Sequence, residues 1–132
     1  MHVPYNALSQ GFALSLAEAD ERTSTLTGTA LDVLDYEGVA LIVLNAGLAS
    51  AGTDPTLNVK LQHSDTTTSG DFVDVSGATF TEVDDADGDG VQALKVNVSN
   101  LKRYLRVIGT IAGTATPTFD FGVEFVGFKK AS

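Results

Sequence analysis

Apolar positions along this chain recur with a period of two, and a sustained helical period is absent. Leu57, Val59 and Leu61 alternate with Asn58, Lys60 and Gln62, the pattern of a strand with one dry and one wet face. Leu94, Val96 and Val98 alternate in the same way with Lys95, Asn97 and Ser99. Phe119, Phe121, Val123 and Phe125 alternate with Asp120, Gly122 and Glu124, which predicts a strand lining a core. From Val39 to Leu44 every residue is apolar, so this run is predicted to be a central strand covered on both faces. Residues 103–111 predict another strand, with Leu105, Val107 and Ile111 on one side and Tyr104, Arg106 and Ile108 on the other.

Further short strands are expected near residues 25–34, 71–75 and 79–83. Turn-rich pieces separate them at 46–55, 64–70, 84–90 and 112–117. The sum is about eight short strands, an all-β antiparallel β-sandwich of jelly-roll type rather than a parallel α/β sheet. Residues 14–21 are mildly helical in composition or equally extended. Residues 1–20 are the least patterned and read as an N-terminal arm or a first strand, and residues 21–132 read as a single β-sandwich domain.

The chain has 132 residues, enough to bury a self-sufficient core. It contains no cysteine, so no disulfide or thiolate–metal framework contributes. Its start, Met-His-Val-Pro-Tyr-Asn, lacks the basic and apolar stretches of a signal peptide, and the run at 39–44 is too short to cross a bilayer. The expectation is a soluble protein made in a cytoplasm, with no membrane partner. The formal net charge of −9, from 17 acids against 8 bases, repels phosphate backbones and argues against direct nucleic-acid binding. Small basic clusters at Lys102, Arg103 and Arg106, and at Lys129 and Lys130, either solubilise strand edges or pair with an acidic partner protein.

Catalytic chemistry finds little support. Gly-x-Ser-x-Gly elbows and phosphate-cradling loops that lead from strand into helix are missing, and the aromatic platforms of a sugar site are scarce, since Trp is absent and only 3 Tyr occur. The strongest local motif is Asp85-Ala-Asp87-Gly-Asp89-Gly90, which matches the opening of a calcium loop. The twelfth position, where an EF-hand needs a bidentate glutamate, is Val96, and the flanks read as strands. A plain acidic hairpin loop or a weak site of another kind remain the two readings. His63 lies on the inward side of its strand and His2 near the chain start, with nothing to suggest convergent ligands. No catalytic, cofactor-binding or metal residues are assigned, and no enzyme activity is expected.

The order Leu57-Asn-Val-Lys-Leu-Gln-His-Ser-Asp65, Asp71-Phe-Val-Asp-Val75, Leu101-Lys-Arg-Tyr-Leu-Arg-Val107 and Pro117-Thr-Phe-Asp-Phe-Gly-Val-Glu-Phe125 resembles tailed-bacteriophage head decoration (capsid cement) proteins. The likeness covers residues 39–128. It implies a structural virion protein on the outer capsid surface, commonly a homotrimer, that binds the major capsid protein and stabilises contacts between capsid subunits. It carries no cofactor and no catalytic residues with it. Similar wording occurs in phage tail and baseplate β-sandwich modules, which stand as the alternative. From a different class, a calcium-assisted carbohydrate-binding module would use Asp85, Asp87 and Asp89 as ligands.

Overall fold

The computed structural model describes residues 11–84 and 90–130. Nine strands follow one another: β1 (Gly11–Arg22), β2 (Leu26–Thr27), β3 (Leu31–Asp32), β4 (Tyr36–Ala46), β5 (Ala51–Ser64), β6 (Val73–Thr79), β7 (Val83–Asp84), β8 (Gly90–Asn97) and β9 (Tyr104–Lys129). No α-helix occurs among the described residues; single 3-10 turns span Ser69–Asp71 and Val98–Asn100.

All pairings are antiparallel and build two layers. The front sheet runs β1, second half of β9, β4, β8. In the back sheet, β2 and β3 lie end to end beside the first half of β9, then comes β5, then β6 and β7. Four strand positions per sheet, linked in this crossing order, make the eight-position jelly roll. β9 belongs to both layers. Its residues 104–112 pair with β5 and its residues 119–129 with β1 and β4. The passage between layers is a bulge: Thr114 still faces Thr53 and Thr118 faces Ala51, while Ala115 and Thr116 adopt φ of 59° and 57°. Residues 112–117 are therefore a corner within one strand, where the sequence predicted a separating turn.

The core is built by the alternating residues. Phe119, Phe121, Val123 and Phe125 of β9 meet Leu57, Val59 and Leu61 of β5, with Ile42 and Leu44 of β4 beside them. Tyr36 closes one end by edge-on contact with Phe125, ring centroids 5.1 Å apart. Leu94 and Val96 are only half-buried, whereas the sequence placed them in the core. The reason is position: β8 is the outer strand of its sheet and has a neighbour on one side only. Residues 25–34 form two two-residue strands instead of one; between them Gly28 lies so close to β1 that an added Cβ would stand 2.9 Å from the Leu16 carbonyl oxygen. The predicted strands at 71–75 and 79–83 shift to β6 and β7. The segment 14–21 is extended and belongs to β1.

One expectation is corrected in substance. The run 39–44 is indeed interior to its sheet, between β9 and β8, but a two-layer sandwich covers one face of it only. Ala40, Ile42 and Leu44 point into the core, while Val39 is exposed and Leu41 and Val43 are half-buried.

Candidate interaction surface

The two outer faces of the sandwich differ in kind. On the back sheet the alternation places Asn58, Lys60, Gln62 and Arg106 outward, and they satisfy one another. Gln62 is the hub: its amide oxygen accepts from Arg106 Nε and Nη2 at 3.0 and 2.8 Å, and its Nε2 donates to Asp74 at 2.9 Å. Lys60 Nζ binds the same Asp74 at 3.0 Å, and Asn58 donates to Glu82 at 2.8 Å. Arg106 also lies flat over Phe72, 4.1 Å from its ring centroid, and donates to Ser69 Oγ. The Asp74 carboxyl is held below the usual carboxylate range by its bonds from Gln62 and Lys60. This face is polar and internally paired.

The front face is apolar over its middle, with Glu37 beside Phe128 at one end and Glu21 beside Asp120 at the other. Across its rows, Val126 of β9 faces Leu41 of β4, which faces Lys95 of β8; Glu124 faces Val43, which faces Ala93; Gly122 faces Asn45, which faces Val91. Val39 and Phe128 lie at the end of the same surface. Exposure is 37% for Val126, 48% for Phe128, 56% for Val39 and 66% for Val91. These are four of the seven exposed large hydrophobic residues described, so the exposure is concentrated rather than scattered. Gly122 has no room for a side chain: a Cβ there would sit 3.0 Å from the Ala19 backbone, because bulged β1 arches over it. Ser15, Ala17, Val43, Asn45 and Val91 ring the resulting shallow hollow of about 180 Å³. Neither Glu124 nor Lys95 has a hydrogen-bond or ion-pair partner among the described residues.

Continued past Phe125, the alternation of β9 turns Val126 and Phe128 outward. Ile108 is half-buried on the back sheet between Lys60 and Thr27. The β4 contribution to the front face is hidden in the sequence, because an all-apolar run at 39–44 reads as a strand covered on both faces.

The ends of the sandwich also differ. One end gathers the β1–β2 connection, the β4–β5 loop, the end of β7, the start of β8 and the β9 corner. Its described acids are Glu18, Asp20, Glu21, Asp54, Glu82, Asp84 and Asp120, against Arg22 alone. The remaining described residues hold seven acids and seven bases, so they balance. At the balanced end a crevice of about 360 Å³ is lined by Leu34, Tyr36, Val98, Leu101, Lys102 and Lys130. Arg103 there is tied to Asp32 at 2.9 Å, a contact that lowers the Asp32 pKa. The His63 Nδ1 accepts from the Lys102 backbone N–H at 3.1 Å, and burial, then the Lys102 charge, pushes its pKa below 6.5. It is a packed rim residue holding a loop. Among the described residues no group of three or more His, Asp or Glu side chains converges to hold a metal. His2 and the Asp85, Asp87 and Asp89 of the candidate calcium loop lie outside the described residues.

No protein-family model matches this sequence, and no curated protein is significantly similar to it. Solved structures do share the fold. The chain aligns over 91% of its length with the T13 particle protein of infectious bursal disease virus, at 10% identity and a TM-score of 0.53. It aligns equally with the VP2 subviral particle of the same virus, at 10% identity and a TM-score of 0.52. It spans about a third of those viral chains, 31% and 33% of their lengths. A looser likeness, TM-score 0.45 at 10% identity, covers 89% of this chain and 91% of the SPBc2 prophage-derived protein YomS.

Proposed function

We propose that this chain is a non-catalytic structural protein of a tailed-phage virion. It binds the outer surface of the capsid through the major capsid protein, as a homo-oligomer and by its resemblance a trimer, and stabilises contacts between capsid subunits. It takes no cofactor and contacts neither nucleic acid nor membrane. The observation that carries the reading is the cluster of exposed apolar residues on the front face: a jelly roll that gathers Val39, Val91, Val126 and Phe128 on one sheet face in water is built for protein contact. The shared fold with particle-forming viral proteins supports it, as do the decoration-like motifs at 57–65, 101–107 and 117–125.

The physics of such a role is mass action. A binder that spans two subunits of the mature shell, and not of its precursor, stabilises the mature form by RT ln(1 + [L]/Kd), about 2.7 kcal/mol at a hundredfold excess over Kd. The test mixes purified protein with unexpanded and with expanded phage heads and sediments both. Co-sedimentation with expanded heads, and a raised melting temperature of those heads, is the expected result. Equal binding to both forms, or none to either, overturns the reading.

A further inference from the structure

The outer edges of the two sheets are not alike. β1 breaks register twice along β9, and β6 breaks it once along β5, around Gly77 at φ 73°. β2, β3 and β7 are two residues each. Bulges and short lengths of this kind keep an edge from pairing with further chains. β8 has neither. An unbroken run of pairs, from Val39–Asn97 to Ala46–Gly90, holds it to β4, and it contains no proline. No other described strand pairs with it. Every second residue of β8 therefore turns its N–H and C=O away from the sheet.

The inner side of that edge is unfinished. Leu94 and Val96 are core-type residues that stay half-buried, and a hollow of about 190 Å³ opens between β8 and β6, with Val75, Ala78 and Leu101 also lining it. Gln92 pins the strand in place: its amide oxygen accepts from the Thr81 N–H at 2.8 Å, and its Nε2 donates to the Thr81 carbonyl at 2.9 Å. Lys95 is the one charge on β8 and has no partner among the described residues; the acids of the front face stand on β1, β9 and the start of β4. We infer that β8 accepts an extended segment of another protein as a fifth, antiparallel strand of the front sheet. The register sets that segment's chemistry. Apolar residues opposite Leu94 and Val96 complete their burial and fill the hollow, and an acid between them meets Lys95. A further apolar residue meets Val91, which is 66% exposed. A second β8 holds no acid to offer Lys95, so the occupant is a different chain. This goes beyond the function proposed above; on that reading the major capsid protein donates the strand.

The experiment titrates the full chain with the capped peptide Thr-Val-Glu-Val-Ser-Thr-Val-Thr, whose glutamate falls opposite Lys95 in the antiparallel register. One saturable site is expected, with slowed hydrogen exchange at alternate amides of residues 91–97. N-methylation of one alternate set of peptide amides abolishes binding, and of the other set does not. Lys95→Glu, at an exposed site, weakens binding roughly fivefold, and a peptide with lysine in place of glutamate recovers it. Absence of saturable binding overturns the inference, as does equal binding of both methylated peptides or protection confined to other strands. So does a peptide-free dimer whose β8 amides are already protected, since the edge would then belong to a second copy. Head binding is scored separately. Heads that bind while the peptide does not sink this inference and leave the virion role standing, whereas peptide binding without head binding does the reverse.

Discussion

Gly109 of the back sheet lies directly against the ring of Phe121 in the front sheet: a Cβ on residue 109 would stand 2.8 Å from the Phe121 Cζ. The glycine is there for space, since it is the gap that lets a phenylalanine reach across the sandwich. Phe121→Ala is expected to cost about 3–5 kcal/mol by opening a cavity, and Gly109→Ala about 1–3 kcal/mol by overpacking. Together they compensate, because the new methyl group occupies part of the vacated ring. Denaturant titration of the four-member cycle checks this, and strict additivity would show that the two sites do not meet.

At the β9 corner the constraint is conformational as well as steric. Gly113 has a φ of 124°, and a Cβ there would lie 2.9 Å from the carbonyl oxygens of Thr53 and Asp54. Gly113→Ala therefore is expected to lower stability by more than about 2 kcal/mol. Thr116, at φ 57°, carries the opposite expectation: Thr116→Gly relieves a left-handed residue and gains up to about 1 kcal/mol. Thermal unfolding of the two variants should move in opposite directions.

His63 makes stability depend on pH in a defined window. Its folded pKa lies below the 6.5 of the unfolded chain, through burial first and the Lys102 charge second. As pH falls below 6.5 the unfolded state takes up a proton that the folded state refuses, so stability declines with acidification. The decline continues until the lower folded value is passed. His63→Asn, whose amide oxygen accepts the Lys102 N–H without titrating, is expected to flatten the slope just below pH 6.5. Loss of the Asp32 and Asp74 contributions begins only at lower pH, since both carboxyls are held below 3.8. An unchanged slope in the variant would exclude His63 as its source.

The start of the chain can be tested by truncation. Leu16 is buried and Leu14 pairs with Phe125, so residues 14–16 are integral to β1. Leu16→Ala is expected to cost about 2–5 kcal/mol, and deletion of residues 2–16 to lower the melting temperature rather than leave it unchanged. An unaltered melt of the truncated chain would mean that β1 contributes only to docking.

Legibility from sequence followed the physics of each strand. The strands around 57–61 and 119–125 alternate cleanly because one face is core and the other water, and both registers agree with the structure. β8 alternates as well as they do, yet Leu94 and Val96 are half-covered, because alternation reports which way a side chain points and not whether a neighbouring strand encloses it. The corner at 112–117 has the glycine and proline of a turn, but β5 keeps pairing across it, and only a partner strand distant in sequence could reveal that. The front face was half visible. Val126 and Phe128 followed from parity, while Val39, Leu41 and Val43 looked doubly covered because an apolar run does not say whether its second cover is the same chain or another.

The lopsided placement of charge gives this protein a behaviour that contacts alone would not. Among the described residues, seven acids against one base at one end, with balance elsewhere, make an electric dipole. Copies arranged side by side with strands parallel bring their negative poles together, within the roughly 10 Å over which charges are felt at 0.1 M salt. Dilute buffer would then hold the copies apart and added salt would draw them together. A particle studded with such molecules, poles outward, would wear a uniformly negative coat. That coat would repel other such particles and free nucleic acid alike, with no contact made to either.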